Sequence, residues 1–165
     1  QASLYYHYGI DKHLLEKKVF GVFEHKVVRP HNPLVRGFDE TFYAPHSRHT
    51  EVLRSDIEAC DKLRILADSP EVGPHIISTE NGRQIFVLGH QEYDKGTLAG
   101  EYFRDVKKGL DIQVPKNYFK DDDPAGEIMF RWRAHASLLF SNWLNYYVYQ
   151  NTPYDLEELK KHHQD

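Results

Sequence analysis

The sequence predicts an α/β fold. Runs rich in β-branched and aromatic residues alternate with segments whose apolar residues recur at helical spacing. Two of the β-rich runs flank Asn81-Gly82, a dipeptide suited to a type I′ hairpin turn, so not every strand pair is parallel. Over residues 127–150, Trp132, Ala136, Leu139, Phe140, Trp143 and Tyr147 fall on one helical face, which predicts a long core helix.

Taken in order, "QASLYYHYG" has the apolar spacing of a helix already in progress, closed by a glycine. The charged stretch "IDKHLLEKK" reads as a connection, and "VFGVFEHKVV" (19–28) as a strand. "RPHNPLVRG" is a loop; residues 38–52 suggest one or two short strands around a polar "PHSRHT" loop. "DIEACDKLRILADS" begins as a short helix and ends as the strand "LRILA". After the hairpin, Leu98, Tyr102, Val106 and Leu110 lie four apart, a helical stripe within 94–110. A Pro- and Asp-rich connection leads to the last helix. Residues 1–153 are expected to form one domain part and 154–165 a charged tail.

Composition narrows the function classes. The chain has 165 residues, 40% of them hydrophobic and 28% charged, which suits a folded core rather than disorder. Acids outnumber bases 25 to 21 without a basic block, which argues against nucleic acid as a partner. No apolar run approaches the ~20 residues of a membrane span, so the chain reads as soluble with no membrane role. Cys60 is the sole cysteine, which excludes an internal disulfide and fits a cytoplasmic location. Because the first residue is Gln1 and the first helix reads as already in progress, the chain is expected to be the C-terminal portion of a longer protein.

The stretch "IFVLGHQEYD" holds the leading candidate pair. A strand ends just before His90, and Glu92 follows at i+2 on the same side of near-extended backbone. There a carboxylate can hold the Nδ1 proton and leave Nε2 as an acid/base; a strand-end histidine paired with an acid is the plainer alternative. His46, His49 and Glu51 form an H-x-x-H-x-E cluster without cysteine or helical metal spacing, so no metal site is expected, and Ser47 lacks a nucleophile elbow. Cys60 lies between acids in "IEACDKL" and reads as a buried structural thiol. By periodicity, Lys18 and Arg104 are ordinary exposed cations, Arg104 near Glu101.

Read together, "FGVFEH", "APHSRHTEV", "GRQIFVLGHQEYD", "EYFRDVKKGLD", "VPKNYF" and "LLFSNWLNYYVYQNTPYDL" resemble, in this order, the homoserine O-acyltransferases of methionine biosynthesis, often named homoserine O-succinyltransferases. The resemblance covers nearly the whole chain. It implies a flavodoxin-like, class I glutamine amidotransferase-like sheet with flanking helices, of which this would be the C-terminal part, and a Cys-His-Glu triad. The family's cysteine lies in a "CW.AQA" elbow, so Gln1-Ala2 would sit just beyond it and the nucleophile would precede this chain. The histidine and glutamate of "GH.EYD" fall on His90 and Glu92, and the substrate-contacting lysine, serine and arginine on Lys18, Ser47 and Arg104. Gln91 stands where many members have proline, which would alter loop rigidity but keep the pair.

The implied reaction transfers an acetyl or succinyl group from acyl-CoA, a co-substrate rather than a bound cofactor, to the hydroxyl of L-homoserine through a cysteine thioester. The acetyl donor is weakly favoured. A homodimer, and the N-terminal half of the same protein, are the implied partners. The alternatives are a glutaminase or γ-glutamyl hydrolase of the same superfamily, and a non-catalytic α/β interaction domain.

Overall fold

The computed structural model describes residues 1–152; the charged tail expected at 154–165 lies outside them. The first helix, α1 (Ala2–Tyr8), is capped at Gly9 as its sequence suggests. Strand β1 (His13–Val27) is much longer than 19–28 and absorbs the stretch read as a charged connection. The early part of β1 lies against β2 (Thr41–Glu51), pairing His13 with Glu51 and, after an irregularity, Val19 with Arg48. Cross-strand hydrogen bonding therefore overrides the weak strand propensity of "DKHLLEKK".

Strand β2 is continuous, so the polar "PHSRHT" segment is strand and not loop. A short helix, α2 (Arg54–Glu58), leads to β3 (Leu63–Ser69), β4 (Gly73–Thr79) and β5 (Ile85–Val87). These strands make one sheet in the order β2-β1-β3-β4-β5, antiparallel at every pairing. The α/β class holds, with a sheet more antiparallel than one hairpin alone required. The Asn81-Gly82 hairpin is present, but only Gly82 has positive φ (66°), so the turn is a longer loop than type I′, which needs positive φ at both residues.

Both sheet faces are covered. Alternation along β3 and β4 sends Ile65 and Ile77 into a core shared with Leu4, Ile57 and Phe86, and Leu66 and Ile76 into another shared with Leu34, Phe42 and Leu139. A third cluster unites Phe20 and Val22 of β1 with Leu98, Tyr118, Phe119 and Trp132. Strands buried on both faces are nearly continuous in apolar residues, which is why their alternation is faint in the sequence.

The helices are shorter than periodicity suggested. Helix α3 (Thr97–Lys107) buries Leu98, but Val106 and Leu110 are exposed because the covering segment, with Tyr118 and Phe119, reaches only its first turns. Helix α4 (Arg133–Trp143) continues as a wider π turn (Leu144–Val148) and α5 (Tyr149–Asn151). Residues 127–132 are not helical: Ile128 bridges Phe119, and Trp132 donates its indole N–H to the Tyr93 carbonyl at 2.8 Å. Ala136 and Leu139 face the core as expected, whereas Phe140 and Trp143 are exposed. No helix among the described residues is long and apolar enough to cross a membrane.

Gly21 couples the sheet to the connection after α3. Its φ is 146°, and the Lys116 backbone runs alongside, with Lys116 N–H donating to the Phe20 carbonyl (3.0 Å) and Val22 N–H to the Lys116 carbonyl (2.8 Å). A Cβ on Gly21 would lie 2.6 Å from the Lys116 nitrogen. Gly21→Ala is therefore expected to lower stability by about 3 kcal/mol or more, since neither backbone can give way. Gly109→Ala, where a Cβ meets open space but φ is 70°, should lose only about 1 kcal/mol. Chemical denaturation of both variants checks the ranking; equal losses would contradict it.

Candidate active site

His90 lies three residues past the end of β5, and the backbone leading to it is pinned at consecutive positions. Leu88 N–H donates to the His75 carbonyl (2.8 Å), Gly89 N–H to His75 Nδ1 (3.2 Å) and His90 N–H to the Pro45 carbonyl (2.8 Å). His75 belongs to β4 and Pro45 to β2, so the sheet itself fixes the loop. His90 Nδ1 lies 2.8 Å from Glu92 Oε1, as the i+2 spacing suggested. With Nδ1–H donated to the carboxylate, Nε2 carries the lone pair. Glu92 is well exposed and His90 about a third exposed, so the pair is open to a reactant.

Tyr93 extends the site. Its ring stacks on the His90 imidazole, with centroids 4.3 Å apart and planes 14° from parallel, and its hydroxyl donates to Glu101 Oε1 at 2.8 Å. The other oxygen of Glu101 accepts from Ser47 Oγ (2.6 Å) and pairs with Lys18 Nζ (3.3 Å). Lys18 and Ser47 come from the neighbouring strands β1 and β2, and Lys18 Nζ also sits over the Phe20 ring. Burial alone would raise the carboxyl pKa of Glu101, but the hydrogen bonds from Ser47 and Tyr93 and the Lys18 charge outweigh it and hold it below its ordinary value. The Tyr93 hydroxyl is pushed up by burial and by its bond to Glu101, so it stays a neutral donor.

Of the five residues singled out, His90 with Glu92 form one contact and Lys18 with Ser47 meet at Glu101. Arg104 sits one turn beyond Glu101 on α3, largely exposed, with Nε donating to Asp105 Oδ1 at 2.7 Å. Sequence reasoning missed Glu101 and Tyr93 as site residues. The signal was there in the i+3 spacings Glu101/Arg104 and His90/Tyr93, but neither identifies a partner without the fold.

The expected cluster of His46, His49 and Glu51 does not form, because on a strand His46 points inward, fully buried, while His49 is exposed. His46 instead joins His25 and His75, also fully buried, with one nitrogen of each ring within 4.8 Å of those of the other two. Lone pairs decide whether a metal fits. His25 Nδ1–H donates to the Phe23 carbonyl (3.0 Å), so its Nε2 accepts from His46 Nε2–H (3.0 Å). His75 Nδ1 accepts from Gly89, leaving only His46 Nδ1 uncommitted. One free lone pair among three rings describes a hydrogen-bonded network of neutral imidazoles.

Cys60 is half-buried just past α2, packed against the core cluster around Leu4 and Ile57. The hollow it lines, with Tyr8, His13 and Asp56, includes no residue of the His90 site.

A family model described as homoserine O-succinyltransferase matches residues 1–154. The chain is 61% identical over 160 residues to a homoserine O-acetyltransferase of Acetivibrio thermocellus, covering 97% of this chain and 52% of that protein. It is 61% identical over 155 residues to one of Clostridium novyi (94% and 51% covered), and 58% identical over 161 residues to one of Brevibacillus brevis (98% and 53%). The chain thus spans about half the length of the curated relatives it matches. Among solved structures, that of SMU.1228c aligns with a TM-score of 0.55 and 17% identity over 82% of this chain and 55% of that one, a likeness of fold alone.

The buried histidines make stability pH-dependent. Burial lowers the His25 pKa to about 4 and those of His46 and His75 well below 6.5. The unfolded chain takes up protons below pH ~6.5 that the folded chain refuses, so this stability is complete above pH ~6.5 and is lost on acidification towards pH ~4. The slope from each histidine approaches ~1.4 kcal/mol per pH unit. Urea unfolding at about pH 7.5 and about pH 5 should differ by several kcal/mol, and His46→Phe should flatten the dependence. A pH-independent midpoint would contradict the neutral network.

Proposed function

Because this chain belongs to the homoserine O-succinyltransferase family, we propose that it is the C-terminal half of an enzyme that transfers an acyl group from acyl-CoA to the γ-hydroxyl of L-homoserine in methionine biosynthesis. The observation that carries the reading is the His90–Glu92 hydrogen bond, beside a polar cluster of Lys18, Ser47 and Glu101 tied to it through Tyr93. The names of the relatives favour acetyl-CoA as donor over succinyl-CoA.

In this reading the nucleophile is the cysteine that the family resemblance puts before Gln1, while Cys60 lines a hollow that includes no residue of the His90 site. With the nucleophile's proton passed to His90 Nε2, its thiolate attacks the acyl-CoA carbonyl. The tetrahedral intermediate collapses to the cysteine thioester, and the CoA sulfur leaves with the C–S electron pair and takes that proton from His90 to depart as the thiol. Homoserine then binds, its α-carboxylate facing the Arg104 guanidinium and its α-ammonium drawn to the Glu101 carboxylate. Lys18 and Ser47 hold that carboxylate in place. His90 Nε2 accepts the γ-hydroxyl proton as the oxygen attacks the thioester carbon, and the C–S bond breaks as the tetrahedral intermediate collapses. The cysteine sulfur leaves with the electron pair and regains the proton from His90. Glu92 orients the ring and stabilises the transient imidazolium, leaving the proton on nitrogen. Soluble, cytoplasmic action and a homodimer belong to this proposal.

The test uses the full-length protein with acetyl-CoA, succinyl-CoA and L-homoserine, following CoA thiol release and O-acylhomoserine. His90→Ala should lower kcat/KM by at least about 10³-fold, and Glu92→Gln by about 10- to 10²-fold. Arg104→Ala and Lys18→Ala should chiefly raise KM for homoserine, by about 10-fold or more. Ammonia release from glutamine without acyl transfer would move the assignment to a glutaminase.

A further inference from the structure

The three buried histidines lie directly beneath the loop that carries His90. His75 meets that loop on both sides of the residue: its Nδ1 accepts the Gly89 N–H at 3.2 Å, and its Nε2 lies 3.1 Å from the side-chain amide of Gln91. A neutral ring whose Nδ1 already accepts carries its hydrogen on Nε2, so the amide group it meets must be the oxygen. In that orientation the Gln91 carbonyl oxygen accepts from His75 Nε2–H. Gln91 is almost fully buried, although it neighbours the exposed Glu92.

Gly89 allows this approach. A Cβ there would fall 2.7 Å from His75 Cε1, 2.8 Å from His46 Nε2 and 2.9 Å from the Pro45 carbonyl oxygen. His25 and His46 hold His75 from behind, with ring centroids 4.3 Å and 5.3 Å from it, and Phe42 closes the cluster. A layer of purely apolar side chains would fill the same space but would leave the Gly89 N–H and the Gln91 amide buried without partners, at a cost of roughly 1–3 kcal/mol each.

We propose that His75 is a positioning residue for His90: its ring, held in one tautomer by Gly89 and Gln91 and backed by His25 and His46, fixes the backbone on either side of His90. The inference rests on the acyl-transfer reading only for its kinetic consequence. Misplacing an acid/base by about 1 Å can cost about 10²-fold in rate without loss of substrate affinity. His75 touches no reactant, so the effect falls on kcat.

Two measurements on the full-length protein test it. In steady-state assays, His75→Leu should lower kcat about 30- to 100-fold with KM for homoserine changed less than about 3-fold. His75→Asn, whose side-chain oxygen can accept from Gly89 as Nδ1 does, should recover at least about ten-fold of the loss. Gln91→Leu, which keeps the Gly89 contact, should fall between the two. In hydrogen exchange, amides of residues 88–91 should exchange at least about ten-fold faster in His75→Leu than in wild type, with His75→Asn close to wild type. If His75→Leu does not fold, Gln91→Leu and His75→Asn carry the comparison. Unchanged loop exchange in folded His75→Leu, or a kcat loss that tracks melting temperature and is not rescued by Asn, would overturn the proposal. Stoichiometric zinc in the purified protein would also overturn it, because two of the rings would then lose the hydrogens assigned to them. If the wild-type enzyme made no O-acylhomoserine, the functional reading would fail while the exchange comparison still decided the positioning role.

Discussion

The candidate site depends on one constraint: the segment Leu88-Gly89-His90 is tied to the sheet by three successive backbone amides, two of them to His75 and one to Pro45. A histidine past the end of a three-residue edge strand would otherwise sample many orientations. Here the loop inherits the rigidity of β4 and β2, and the Glu92 hydrogen bond then has only a side-chain rotation left to fix. Rigid support of this kind is what an acid/base needs to meet a bound reactant repeatedly at one distance.

A second centre of order is the Glu101 carboxylate. Three donors from three parts of the chain, Ser47, Tyr93 and Lys18, meet on its two oxygens and offset the desolvation of a partly buried charge. Tyr93 joins the centres, stacked on His90 at one end and bonded to Glu101 at the other. The result is an imidazole and a fixed anion linked through one tyrosine, with two cations, Lys18 and Arg104, at the periphery of these side chains. In the proposed reaction this charge pattern would receive a zwitterionic amino acid whose hydroxyl is to be deprotonated.

Much of the fold was legible from local patterns, and the failures have a common cause. The capped first helix, the Asn-Gly hairpin, the strand before His90 and the helix bearing Arg104 follow from spacing and turn chemistry. The polar strand segments at 13–18 and 45–50 do not look like strands, because cross-strand hydrogen bonds and the inward-facing His46 form them, and pairing is not local. The helix at 127–150 was drawn too long, since Trp132 and Phe130 are apolar for packing under Tyr93 and Tyr118 and not for helical register. At the site, His90 and Glu92 were readable because the contact spans two residues. Lys18, Ser47 and Arg104 were reachable only through family likeness, and Glu101, which gathers Lys18 and Ser47 from more than 50 residues away, was seen only once the strands were paired.

The central claim is that His90 discharges an acyl group held on a cysteine of the full-length protein to homoserine. Intact-protein mass spectrometry reads it directly: the protein is loaded with acetyl-CoA, freed of excess donor and chased with L-homoserine. The account predicts a single acetyl adduct on a cysteine other than Cys60, lost rapidly on the chase in wild type and retained at least about 10²-fold longer in His90→Ala. An adduct that never forms with acetyl-CoA or succinyl-CoA, or one that homoserine removes equally fast without the His90 imidazole, would contradict it.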